Sequence, residues 1–142
     1  MAIVIDASAL AEVVVRSQRA PAVEAAFVGE DLVAPDLIGA EVLSVLRGWL
    51  LRSMIDETAA ARGVANLVSA PVRRYGTAGL EGAIWALRRN VTAYDATYVA
   101  LARVVGCPLL TVDRRLAAAP RLGIEVRVPD GPRAAGGRRP SN

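Results

Sequence analysis

Residues 3–10 read IVIDASAL. Ile3, Val4 and Ile5 are consecutive β-branched side chains, the make-up of a short strand buried on both faces. Asp6 ends the run, and Ala7, Ser8, Ala9 and Leu10 open a pattern with helical spacing. A carboxylate at such a junction has two readings. It is a helix N-cap, its oxygen taking a backbone N–H of the first turn, or it is held at the open end of a sheet for chemistry. On residue 6 alone the two readings stand even.

The same strand-to-helix alternation continues along the chain. Residues 7–18 read as a helix, and 20–29 as another with Pro21 at its start. DLVAP (31–35) is a second strand. Residues 36–54 form a long helix with an apolar stripe of Ile38, Val42, Val45, Leu46, Trp49 and Leu50. A helix over 56–70 follows, with Asp56 as its cap, then a short strand or extended link at 71–76. Helices are expected over 80–90 and 92–106, the second ended by Gly106. CPLLTVD (107–113) is another strand running into an acid, RRLAAAP (114–120) a short helix, and IEVRVP (124–129) a last strand. Strands separated by helices predict an α/β domain with a mostly parallel central sheet flanked by helices. Ligands of such sheets sit beyond the carboxyl ends of the strands, where both Asp6 and Asp113 fall.

Composition narrows the chemistry. A chain of 142 residues is most simply one domain with a real core, and aromatics at 4% make that core aliphatic. No apolar run approaches the ~18 residues of a membrane span. No basic segment precedes the first apolar run, which points away from a secretory signal. A single cysteine, Cys107, forms no internal disulfide, and a cytoplasmic location is expected. Of the 17 basic residues, Arg133, Arg138 and Arg139 lie beyond residue 130, where there is no acid. Residues 1–130 therefore carry 14 basic and 14 acidic groups and balance. The boundary expected is a domain over 1–130 and a disordered Arg/Gly/Pro tail over 131–142. There is no His, which removes His-based triads, His acid–base catalysis and HExxH zinc sites. There is no Lys, so no phosphate-binding loop of the GxxxxGK[ST] kind is present. Carboxylates, hydroxyls, Arg and a metal are what remains.

Glu41 and Asp95 join the two strand-end acids. Glu41 sits between Ile38 and Val45 at helical spacing, on the edge of the apolar stripe, where a carboxylate is rarely tolerated without a partner. Asp95 shares a helix side with Tyr98, Val99 and Ala102, and follows Thr92 in a capping-box-like pair. Each acid alone has a structural explanation. Together, with no His or Lys to neutralise them, four converging carboxylates call for a cation, and oxygen-only ligands favour Mg²⁺ or Mn²⁺. Ser8 and Thr111 are hydroxyls positioned to support them. Arg114 and Arg115 follow Asp113 and are candidate contacts to an anionic substrate backbone, though each alone reads as a solvated surface arginine.

These segments — IVIDASAL, GAEVLSVL, VTAYDATYVALA and LLTVDRRL — resemble in order the motifs of PIN-domain nucleases, and most closely those of bacterial VapC-type toxins of toxin–antitoxin pairs. The resemblance runs from Met1 to about Pro129. It implies that Asp6, Glu41, Asp95 and Asp113 line a Mg²⁺/Mn²⁺ site that cuts RNA, with Ser8 and Thr111 at the family's hydroxyl positions. It also implies a homodimer and an inhibitory antitoxin partner. Two rivals stand beside it. A receiver-like phosphoacceptor domain would need a Lys that is absent, and a non-catalytic RNA- or protein-binding α/β module would use the acids only as caps.

Overall fold

The computed structural model describes residues 1–131. Five parallel strands form one sheet in the order β3-β2-β1-β4-β5. β1 (Ala2–Ile5) is central, between β2 (Asp31–Pro35) and β4 (Leu109–Leu110). β3 (Val72–Tyr75) and β5 (Val126–Arg127) are the edges. Ile3, Val4 and Ile5 are each 0% exposed, as a parallel strand covered on both faces requires. The edge strand β3 instead exposes Arg73 and Arg74 after Pro71, a composition that discourages pairing with a further chain.

Among the described residues, seven helices cover the sheet: α1 (Ala7–Val14), α2 (Ala20–Phe27), α3 (Ile38–Leu51), α4 (Glu57–Ser69), α5 (Glu81–Ala86), α6 (Ala93–Val105) and α7 (Arg114–Ala118). Ile38, Val42 and Leu46 of the expected α3 stripe are buried, and Val45 and Trp49 pack at the core's margin. The most buried helix is α6, where Ala96 to Ala102 lie in the core without interruption. Its C-terminus is ended by Gly106 in the left-handed region at φ 73. Asp56 caps α4, its Oδ1 accepting from Ala59 N at 2.7 Å.

The architecture agrees with the expected α/β fold, and all five strands are parallel. Several elements are shorter than their patterns suggest. α1 stops at Val14 rather than residue 18, because Arg16 turns into the left-handed region at φ 55. α3 stops at Leu51, with Ser53 at φ 57. The helix expected over 80–90 is the single short α5, which has only Ala83, Ile84 and Leu87 to turn inward, too little apolar face to sustain more turns. β4 is bounded on its N-terminal side by Pro108, which has no N–H to give to a ladder. The tail expected over 131–142 lies, beyond Gly131, outside the described residues.

α4 approaches α1 and α3 closely at Gly63. A Cβ there would stand 2.9 Å from Val15 Cγ1 and 3.1 Å from Leu46 Cδ1. Asn66, one turn on, donates from Nδ2 to Val14 O at 2.7 Å and so satisfies a terminal carbonyl of α1. Gly63→Val is expected to destabilise the protein by about 2 kcal/mol through overpacking. Urea unfolding is the check: the midpoint should fall with the slope unchanged.

Candidate active site

Asp6 leaves the C-terminal end of the central strand and caps α1. It is 5% exposed. Its Oδ1 accepts from Ala9 N at 2.9 Å and from Ser8 Oγ at 2.7 Å, while Oδ2 accepts from Thr111 Oγ1 at 2.5 Å. The even choice posed by residue 6 is thus resolved in part: the carboxylate is a cap, and it is also tied across the sheet to the end of β4. Thr111, wholly buried, receives Asp113 N at 3.0 Å, and Ser8 Oγ receives Val112 N at 3.2 Å. Two hydroxyls therefore join both strand-end acids into one hydrogen-bonded unit. Burial raises the Asp6 pKa above the ordinary carboxylate value; the three donors pull it back, and the charge of Asp95 raises it further.

Glu41 lies in the first turn of α3, half-buried. Its Oε1 is buried with no hydrogen-bond partner. Burial raises its pKa, and the charges of Asp95 and Asp6 add to the rise. Tyr98, on α6 one turn beyond Asp95, is 1% exposed, and its hydroxyl is likewise buried without a partner. The two side chains are near enough for the phenol to hold the Glu41 pKa down and for Glu41 to push the phenol up, without meeting hydrogen-bond geometry. The sequence reading took Tyr98 as packing surface; only its hydroxyl, at helical spacing from an inward acid, hinted at more.

Asp95 is half-buried in the first turn of α6, where Thr92 Oγ1 accepts from Asp95 N at 3.2 Å. Its pKa is raised by burial first and by the Asp113 charge second, and held down by Thr92 and Arg115. Asp113 caps α7, Oδ1 accepting from Arg115 N at 2.9 Å and Leu116 N at 3.4 Å. The charges of Asp6 and Asp95 reach Glu41, that of Asp95 reaches Asp6 and that of Asp113 reaches Asp95, so the four expected acids are neighbours at the carboxyl end of the sheet. The two arginines part company. Arg115 Nε stands 4.0 Å from Asp113 Oδ1 with its side chain 96% exposed, so it is loosely paired and free to meet another anion. Arg114 instead lines a small depression with Arg19, Val112 and Asp130.

Whether a cation fits is a question about donors. Among the described residues no three acidic or cysteine side chains are gathered tightly enough to enclose an ion by themselves. The donor set nevertheless suits a hard divalent ion: it is all oxygen, it includes the buried, unpartnered Glu41 Oε1, and neighbouring carboxylate charges add to the burial that raises the pKa of Asp6, Glu41 and Asp95. Mg²⁺ keeps several waters and takes one or two carboxylates directly, so it does not require a closed protein cage.

The comparisons agree with this architecture. The PIN domain family model matches residues 3–122. The VapC ribonuclease Mb0985 of Mycobacterium bovis is 38% identical over 114 residues, which cover 80% of this chain and 87% of that relative. Ribonuclease VapC1 of Mycobacterium tuberculosis is 45% identical over 96 residues, covering 67% of this chain and 72% of the relative. Among solved structures, PAE2754 from Pyrobaculum aerophilum has a TM-score of 0.65 at 25% identity, over 88% of this chain and 83% of that one. VapC20 of Mycobacterium tuberculosis, a sarcin-ricin loop cleaving toxin, is alike in fold, with a TM-score of 0.60 at 21% identity over 82% of this chain and 94% of that one. With the family model spanning four of the five strands, the helices and all four acids, the chain belongs to the PIN-domain family and, within it, is a relative of the VapC ribonucleases.

Proposed function

We propose that the protein is a divalent-metal-dependent endoribonuclease, the toxin of a toxin–antitoxin pair, hydrolysing RNA phosphodiesters at the acidic cleft with Mg²⁺ or Mn²⁺ as its ion. The observation that carries this reading is the gathering of Asp6, Glu41, Asp95 and Asp113, from four separate elements, at the carboxyl end of the sheet, in a chain whose relatives include VapC ribonucleases. A merely structural set of caps would have no reason to collect like charges.

The residues have distinct tasks in this reading. Asp6 and Asp95 are the principal ligands. Asp6 arrives already oriented by Ser8, Thr111 and Ala9 N, so little freedom is lost when an ion binds. Glu41, with one oxygen unpartnered, either completes the ligand set or orients the attacking water. Asp113, more exposed and already accepting two backbone N–H groups, acts through an intervening water. When bound, the divalent ion supplies Lewis-acid chemistry, making water a better nucleophile near neutral pH and stabilising charge on phosphate oxygens. Arg115 stands at the rim, where a guanidinium can hold an RNA phosphate. Arg114, turned into its depression, is assigned a contact further along the backbone.

A homodimer and an antitoxin belong to the same reading. Leu43, Leu51, Met54, Val64 and Val68 on and around α3 and α4 are exposed, an apolar surface suited to partner chains. Sedimentation of the purified protein alone tests the dimer, and a monomer at micromolar concentration rejects it. Among the described residues no helix is long and apolar enough to cross a membrane; a cytoplasmic site of action belongs to the same proposal.

The deciding experiment is single-turnover cleavage of RNA with Mg²⁺, with Mn²⁺ and with excess chelator. Cleavage is expected with either ion and none with chelator; undiminished cleavage in chelator rejects the metal reading, and ion binding without any cleavage leaves the binding-module rival.

Asp95→Asn is expected to cut cleavage by about 10²–10⁴-fold. It removes one charge from a repelling set, so the metal-free protein should melt no earlier than wild type. Marked early unfolding would instead make Asp95 a structural cap.

The raised carboxylates also predict the pH dependence of stability. Asp6, Glu41 and Asp95 each have a folded-state pKa above the unfolded value. The folded state therefore binds more protons, and stability falls as pH rises from the ordinary carboxylate range through the raised values. Thermal melts without metal should decline over that window, and saturating Mn²⁺ should flatten the decline. A metal-free stability that climbs with pH through the same window would contradict the cluster.

A further inference from the structure

Two of the buried polar atoms left without a partner belong to side chains close enough to influence each other: Glu41 Oε1 and the Tyr98 hydroxyl. Their chemistry is complementary. An ionised carboxylate only accepts, and a phenol has a proton to give. Tyr98 is 1% exposed in the best-packed stretch of α6, between Thr97 and Val99, so its hydroxyl has no access to solvent as an alternative acceptor. A fold leaves a phenol oxygen in such a place at a cost, because Phe would fill nearly the same volume with nothing to satisfy.

We propose that Tyr98 is a positioning residue of the acidic site, whose O–H donates to Glu41 Oε1 and fixes that carboxylate toward Asp6 and Asp95 once a divalent cation draws the acids together. This rests on the cation-site reading above. The charges of Asp95 and Asp6 act on Glu41, and a bound cation would relieve that repulsion and let the hydrogen bond close. Tyr98 is suited to the task because its hydroxyl is buried with no other partner and a phenol has one proton to give. Its location three residues beyond Asp95 on the same helix ties the two acid-bearing helices, α3 and α6, through the site itself.

The test is Tyr98→Phe in the full chain, which removes one oxygen and no packing, with Mn²⁺ as the probe. Three quantities are compared with wild type: metal-free melting temperature, Mn²⁺ affinity from the free-ion signal in electron paramagnetic resonance, and single-turnover cleavage against Mn²⁺ concentration. Melting should be unchanged or higher. Mn²⁺ affinity should fall about tenfold, the size of one lost hydrogen bond to a charged group. The cleavage curve should shift to higher Mn²⁺ by the same factor. Repeating the substitution in a Glu41→Gln background completes a cycle, and there the loss should largely disappear. Equal Mn²⁺ affinity and an unshifted cleavage curve in Tyr98→Phe overturn the proposal while leaving the cation site intact. So does an undiminished loss in the Glu41→Gln background, since Tyr98 would then act by another route. A wild-type protein that binds no Mn²⁺ overturns the cation reading itself, and the proposal with it.

Discussion

The hydrogen bond from Thr111 to Asp6 is the contact on which the rest of the site depends. It joins the ends of β1 and β4, and the chain around it is arranged to protect it: Thr111 is wholly buried and Asp6 nearly so. Ser8 reinforces it from the first turn of α1, and Asp113 N returns to the same threonine oxygen. One strand end thereby fixes the other, and the two acids that emerge from them share a frame that no flexible loop interrupts. Glu41 and Asp95 are then brought in by helices whose buried stripes leave them no freedom to turn away.

The same arrangement makes the fold carry a burden. Carboxylates gathered and buried at the end of a sheet are unfavourable in the protein alone: burial first, and neighbouring carboxylate charges second, raise the pKa values of Asp6, Glu41 and Asp95. Asp6 limits the cost by being a cap, Asp113 by accepting two backbone N–H groups, and Asp95 by standing near Arg115. Glu41 has the least compensation, with an oxygen that nothing satisfies. Local rules are kept where they stabilise and broken at one position, the pattern expected when sequence serves both folding and a site.

How far the sequence discloses this depends on the scale of the interaction. Ile3 to Ile5 read as a buried strand because their β-branched run is cut off at Asp6, whereas Val13 to Val15, equally β-branched, complete a helical pattern and end α1; Glu41 stands out because helical periodicity puts it against apolar neighbours. Helix ends at Val14 and Leu51 were not legible, since they are set by left-handed turns at Arg16 and Ser53, residues with no preference for that conformation. Arg114 and Arg115 looked alike in the sequence, yet successive helix positions diverge by about 100°, and only one faces the acids. The role of the Thr111 hydroxyl was anticipated as support for a carboxylate. Its dual attachment to Asp6 and Asp113 depends on the pairing of β1 with β4, a contact between residues far apart in the chain.

The pairing of β1 with β4 is only two residues long, Val4 with Leu109 and Ile5 with Leu110. A ladder that short has little power to specify its own alignment, because Leu109 and Leu110 are chemically the same and a shift by one would still bury a leucine. The residue after them is not interchangeable. A slip of one position would bring Leu110 or Val112 opposite Asp6 in place of Thr111, and leave a buried carboxylate oxygen without its donor. The polar contact at the strand ends therefore acts as a proofreader of β-alignment: a misregistered sheet would be penalised at the site before it could be accepted by the core.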